Sequence, residues 1–247
     1  MFVWRALYMF THLMPSAPRM TVLLYHSISD SADFFAVSPA TFEKQMQYVK
    51  EHFAVVPLAR AFAHAGGERV KRDSVAVTFD DGYRDFLTNA LPILKRHEIS
   101  ATVFVLGDSP DRAELGNNHP LLTSAEIASA RDGLVSFGSH GLTHKKLTKI
   151  PPEDLKRELE ESRRDAEYLA YPKGSYNDTV IRGVREAGYA GAVSVTERGV
   201  RVGDSAFALP RIQIDHSTSW STFRAKLTSA ADWYYALWSL FRRQKAK

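Results

Sequence analysis

Three features of the chain predict an α/β fold organised around a parallel sheet. Short apolar runs alternate about seven times with stretches of helical period. Most of these runs are apolar at odd and even positions alike, the pattern of strands covered on both faces. The chain of 247 residues, 45% of them hydrophobic, is long enough for one barrel-sized domain with a sizeable core. A closed parallel barrel and a doubly wound sheet both satisfy these features, and both place their chemistry at the C-terminal ends of the strands.

In order along the chain, the strand-type runs cover residues 21–25, 75–79, 101–106, 134–139, 168–171, 190–195 and 208–214. The first helical stretch between them is SPATFEKQMQYVKEHF, with Ser38 as N-cap and Pro39 at the first helical position. RDFLTNALPILKRHE comes next, then LTSAEIASARDG, where Ser124 or Thr123 can cap and Gly133 ends the helix. PPEDLKRELEESRRDAEYL opens with acids after prolines and is rich in good helix formers, and NDTVIRGVREAGY again ends at a glycine. No repeat, low-complexity tract or Pro/Gly-rich linker divides the chain, so one domain is expected over residues 20–230. Residues 1–19 then form an N-terminal extension, and 231–247 an aromatic and basic helix and tail.

The formal net charge of +4 is carried by the tail: RRQKAK holds Arg242, Arg243, Lys245 and Lys247 and no acid. The body is close to neutral, so a basic stripe for tracking phosphates is not expected and nucleic acid is excluded as a partner. The absence of cysteine removes disulfide and thiolate chemistry, which fits a cytoplasmic protein without excluding an exported one. The N-terminal MFVWRALYMFTHLMPSAP is interrupted by Arg5 and His12 and lacks a basic lead-in, which makes a poor signal peptide, and Met20 is an alternative start. A cytoplasmic or membrane-peripheral location is therefore favoured. ADWYYALWSLFRRQKAK pairs an aromatic face with a basic end, as in an interfacial membrane helix or an amphipathic helix packed on the domain.

Two stretches carry chemistry. SVAVTFDDGYRD ends an apolar strand in Asp80 and Asp81, followed by Gly82. Asp and Gly are common turn punctuation, but two adjacent acids at a strand end also suit divided roles, one binding a metal while its neighbour handles a proton. In LVSFGSHGLTHKKL, His140 and His144 follow another strand, and in a helical turn their spacing puts both imidazoles on one side, able to share a metal. Gly141 stands where a zincin motif needs glutamate. With a carboxylate, the pair makes a three-ligand set with open positions, the layout of a catalytic metal site.

TFDDG followed some sixty residues later by SHGLTHKKL resembles the NodB-type polysaccharide deacetylases, carbohydrate esterase family 4. The resemblance runs from about residue 21 to 215. It implies a distorted, TIM-like (β/α) barrel of about seven parallel strands and hydrolytic removal of N-acetyl groups from a glycan or glycoconjugate. It also implies a divalent metal, Zn²⁺ with Co²⁺ or Ni²⁺ as alternatives, held by Asp81, His140 and His144, with Asp80 as the base towards a metal-activated water.

Two departures bear on the site. The family's R-x-P-Y/F-G motif corresponds here to AYPKG, so Ala170 replaces the arginine that orients the base. Arg211 in ALPRIQID, at another strand end, is a candidate substitute that could pair with Asp80, though a surface position fits its sequence equally well. Tyr171, Pro172 and Lys173 are expected to meet substrate, Lys173 also offering its N–H to an oxyanion. The usual Leu-x-His acid near the C-terminus is missing, since His216 lies in polar IDHSTSW. LLYHSI has the form found in the circularly permuted poly-N-acetylglucosamine deacetylase branch, whose acid-bearing strand comes first, and this assigns His26 as the acid. Alternatives are a deformylase or amidase acting on a sugar-phosphate or glycolipid, and a non-catalytic carbohydrate-binding relative.

Overall fold

The computed structural model describes residues 17–107, 119–131 and 133–236. Seven parallel strands form one curled sheet: β1 (Met20–Tyr25), β5 (Ser74–Phe79), β6 (Ala101–Val105), β7 (Val135–Ser139), β8 (Tyr168–Ala170), β9 (Gly191–Val193) and β10 (Ile212–Gln213). They run in the order β10-β1-β5-β6-β7-β8-β9. A short β4 (Ala54–Val55) adds to β5, and β2 (Ser27–Ile28) pairs with β3 (Ala36–Val37) in a separate two-stranded piece. Each of the seven predicted runs contains one strand of the main sheet.

The last of these runs closes the barrel. Leu209 bridges to Val193 of β9, and Ile212 and Gln213 pair with Leu23 and Leu24 of β1. One segment therefore touches both edges of the curled sheet, and Arg211 sits between its two attachments. The architecture is a distorted (β/α) barrel.

Strand alternation sorts the residues into two layers. Leu23, Tyr25, Val75, Val77, Phe79, Val103, Val135 and Phe137 pack outward with Phe42, Met46 and Val49 of α1 (Pro39–His52). Val22, Ala76, Phe104, Ala170, Val193 and Leu209 pack inward. The inner parity, continued past the strand ends, runs through Leu24 to His26, Thr78 to Asp80 and Gly138 to His140. Three chemically active side chains therefore reach one rim. The inner space is tight: a Cβ on Gly138 would lie 2.5 Å from the Phe104 ring.

Helix α2 (Leu58–Ala65), which the sequence pattern does not signal, contributes Leu58, Ala61 and Ala65 to the inner cluster. α3 (Leu91–His97) continues a π-helical turn, Phe86–Ala90, and α4 (Ser124–Ala130) starts with a full capping box between Thr123 and Glu126, which settles its cap on Thr123. α5 (Pro152–Arg163), α6 (Asp178–Glu186) and α7 (Trp220–Lys226) follow, with Ser38, Asn177 and Ser219 as N-caps of α1, α6 and α7, and residues 230–236 are helical again where the expected C-terminal helix begins.

The expected edges of the domain are joined to each other. The Arg19 guanidinium donates to both carboxylate oxygens of Asp232 at 2.7 and 2.8 Å, and its backbone N–H to Asp73 at 2.8 Å. Most of the expected extension, residues 1–16, and the tail from 237 on lie outside the described residues. Among the described residues no helix is long and apolar enough to cross a membrane, and nothing supports membrane contact by the C-terminal helix.

Candidate active site

The loop ends above β1, β5, β7 and β8 converge. Asp80 and Asp81 follow β5 directly, and both are buried. Asp81 takes a left-handed backbone, φ 69°, and Gly82 continues the turn at φ 72°, where a Cβ would lie 2.9 Å from Val105. His144, φ 62°, and Lys173, φ 56°, are also left-handed. Such conformations cost L-residues energy and persist where the surroundings impose them.

His140 and His144 do converge, though not through a helical turn. The chain leaves β7 in an irregular loop in which Gly141 has φ 77°. That loop is held by a residue the sequence did not reveal. Glu158, buried on α5, accepts the N–H groups of Leu142 and Thr143 at 2.8 and 3.0 Å, and also the Thr143 hydroxyl. The His140 Nδ1–H donates to the Ala170 carbonyl at 2.8 Å, which turns Nε2 towards the acids.

The Nε2 atoms of His140 and His144 lie 3.3 and 3.4 Å from the same oxygen, Asp81 Oδ1. That oxygen is buried and makes no well-formed hydrogen bond. Three potential ligand atoms thus crowd one point without satisfying one another, and they all lie within 4.8 Å. One carboxylate oxygen and two imidazole nitrogens form a donor set that suits Zn²⁺ or a similar divalent ion, with positions left open. This cluster can hold a metal.

Arg211 is not a surface residue. It is 0% exposed, and its guanidinium meets Asp80 end-on, Nη1 and Nη2 each donating to one carboxylate oxygen at 2.7 Å. It also donates to Thr78 Oγ1 at 3.2 Å and to the Ser194 carbonyl at 3.0 Å, and lies over the Phe104 ring. Asp80 Oδ2 is 4.0 Å from His140 Nε2, so the clamped carboxylate stands beside the ligand cluster.

These contacts set the protonation states. Burial alone would raise Asp80, but Arg211, His140 and His26 hold it below its ordinary value. Burial is likewise outweighed at Asp81, which the close approach of the His140 Nε2 and the other nearby imidazoles hold well below the usual carboxylate range. At His140, burial opposes the charge, yet Asp80 and Asp81 raise the imidazole above its ordinary value. Burial, His140 and Lys173 push His144 down to about 4, against the pull of Asp81.

His26 ends β1 at this rim, partly buried, with its ring 4.7 Å from Phe35 and its Nδ1 unpartnered. Burial lowers its pKa and the nearby Asp81 and Asp80 oppose this. The segment after it is tied down by Asp85, which accepts from Ser27 Oγ at 2.5 Å and the Ile28 N–H at 3.2 Å. His216 stands elsewhere: it is exposed, with its Nδ1 and backbone N–H both donating to the Phe34 carbonyl.

The expected substrate-facing trio divides. Tyr171 is buried, its hydroxyl donating to the Phe207 carbonyl at 2.7 Å and its ring stacked on Tyr176, so its side chain packs the core and cannot meet substrate. Pro172 is also buried, against the Gly141 turn. Lys173 alone is exposed, and among the described residues its backbone N–H meets no acceptor. AYPKG therefore shapes the backbone, with Lys173 at its tip.

Comparison with known proteins bears on this arrangement. The family model described as polysaccharide deacetylase matches residues 67–192, about half the chain, including both the Asp80–Asp81 and the His140–His144 stretches. The chain is 28% identical over 222 residues to the Bacillus subtilis protein YxkH, covering 85% of this chain and 77% of that one. It is 27% identical over 213 residues to the poly-beta-1,6-N-acetyl-D-glucosamine N-deacetylase of Staphylococcus aureus, covering 78% and 72%. The solved structure of the Streptococcus pyogenes deacetylase PplD in complex with acetate superposes with a TM-score of 0.72 at 25% identity, over 86% of this chain and 99% of that one. The fold is also that of IcaB from Ammonifex degensii, with a TM-score of 0.72 at 24% identity over 86% and 98%.

Proposed function

The chain belongs to the polysaccharide deacetylase family, and from that premise we propose that it hydrolyses the N-acetyl groups of an N-acetylated glycan in a metal-dependent reaction. The observation that carries the metal is the buried Asp81 oxygen without a well-formed hydrogen bond, on which the Nε2 atoms of His140 and His144 converge at 3.3 and 3.4 Å. A divalent ion held there supplies Lewis acidity, lowering the pKa of water and polarising the acetamide carbonyl.

The chain's own residues do the rest. Asp80, ionised and clamped by Arg211, accepts the proton of the attacking water. Arg211 is a positioning residue: it fixes the carboxylate plane and keeps it charged at neutral pH. It occupies the role left vacant by Ala170, and reaches Asp80 from the barrel-closing segment. The Lys173 N–H, which meets no acceptor among the described residues, receives the oxyanion of the tetrahedral intermediate in this reading. His26 protonates the departing nitrogen, and its unpartnered Nδ1 together with the Asp85 anchor suits a ring held ready for that task.

The Staphylococcus aureus relative is named for a β-1,6-linked N-acetylglucosamine polymer, which makes oligomers of that sugar the first substrates to try. The test is acetate release by the metal-reconstituted protein. Release abolished by His140→Ala supports the proposal, and turnover untouched by that change overturns it.

A further inference from the structure

Beside His26 the protein displays two adjacent aromatic side chains, Phe34 and Phe35, at 48% and 38% exposure. Phe35 leans on the His26 ring; Phe34 meets Phe35 edge-on at 5.2 Å and His216 at 5.3 Å. Isolated exposed hydrophobics are ordinary, but this pair is held rigidly. Asp33 accepts the Phe35 N–H at 3.0 Å and the Ala36 N–H at 3.1 Å, the Phe34 carbonyl is bonded by His216, and β2 and β3 pair to close the loop. The ledge is thus formed before any ligand arrives, which lowers the cost of binding one.

Next to it lies a recess of about 600 Å³ lined by Asp30, Ser31, Thr41, Lys44, His216 and Ser219. Aromatic faces beside hydroxyl, carboxylate and imidazole groups match the two surfaces of a pyranose, its C–H face and its hydroxyl rim. Both features lie at the C-terminal rim that carries His26, so a chain of sugars with one unit at Asp80 and His26 can continue across them. We infer that the Phe34–Phe35 ledge and its recess seat the sugar units adjoining the one that loses its acetyl group, so that the substrate is an oligomer or polymer. This rests on the deacetylase reading and adds to it the preference for a chain over a free sugar.

The experiment compares N-acetylglucosamine with its β-1,6-linked pentamer, by acetate release and by calorimetric binding, for the wild type, Phe34→Ala and Phe34→Tyr. The pentamer is expected to show the higher kcat/KM in the wild type. In Phe34→Ala its KM should rise roughly two- to tenfold, the range of one aromatic contact, and its advantage over the monosaccharide should shrink. Phe34→Tyr keeps the ring and should restore both. Acetate release with an unchanged length preference in Phe34→Ala overturns the ledge and leaves the deacetylase reading standing. Pentamer binding weakened by Phe34→Ala, with no acetate released even by the wild type, keeps the ledge and overturns the reading it rests on. Phe34-dependent binding to phosphatidylcholine/phosphatidylglycerol vesicles, with pentamer binding unaffected, shows the ledge to be a lipid contact and overturns the proposal.

Discussion

Replacing Arg211 by methionine removes the guanidinium while keeping most of the side chain's bulk. The loss is concentrated at one place: Asp80, 3% exposed, gives up two 2.7 Å bonds, and the Ser194 carbonyl and Thr78 hydroxyl each lose a donor. Leaving one partner of a buried ion pair uncompensated costs about 3–5 kcal/mol. At about 2–4 °C per kcal/mol for a chain of this size, the melting temperature should fall by about 6–20 °C. The assay is thermal unfolding of metal-free protein in chelator, so that metal affinity does not enter the comparison. Asp80→Asn/Arg211→Met should be less destabilised than the sum of the two single changes, because no charge is stranded. The penalty also has a pH signature. Arg211 helps hold Asp80 below its unfolded value, so the stability from the pair is present above the unfolded pKa and lost as pH falls through the folded one. Without Arg211 the buried carboxylate titrates higher, and the gap between variant and wild type should narrow on acidification. A change within about 0.5 kcal/mol, the range of a surface substitution, or strict additivity in the double variant, would mean that Arg211 and Asp80 are not coupled in the folded protein.

Glu158→Gln exchanges the acceptor of two N–H groups between the histidines for a neutral amide, and should weaken metal binding about 10- to 100-fold, read by competition with a chelating dye. Unchanged affinity would show that the loop holds itself. Metal affinity should also fall as pH drops through the raised pKa of His140, by about a decade per pH unit, since the ion must displace the Nε2 proton, whereas His144, already neutral down to about 4, should add no dependence near neutrality. Calorimetry in buffers of different ionisation heat reads the released proton; release of none at pH 6.5 contradicts the assignment. His26→Ala should retain the metal and lose most of its kcat; an active His26→Ala alongside an inactive His216→Ala would give the acid to the other histidine.

The strands were legible because buried parallel strands are apolar on both parities, a pattern that marks Ser74–Phe79 and Ala101–Val105 clearly. Their ends located the acids and histidines on one rim. Helix Leu58–Ala65 was not legible: LARAFAHA has no capping side chain and packs against the inside of the barrel. The contact between Arg211 and Asp80, 131 residues apart, depends on barrel closure, which local sequence can only suggest. Glu158 is one of several acids on its helix, and only its buried position beneath the histidine loop sets it apart. Tyr171 was misread because the YPKG stretch is a backbone device whose tyrosine points into the core.

On the proposed chemistry, Asp81, His140 and His144 hold one divalent ion that deacetylation requires. The most direct test titrates metal-stripped protein with Zn²⁺ while following acetate release from β-1,6-linked N-acetylglucosamine pentamer. The wild type should gain activity linearly and saturate at one ion per chain, and Asp81→Ala should show neither binding at that stoichiometry nor turnover. Acetate release by the fully stripped protein, or an unaltered titration in Asp81→Ala, would show that this cluster does not hold a catalytic metal.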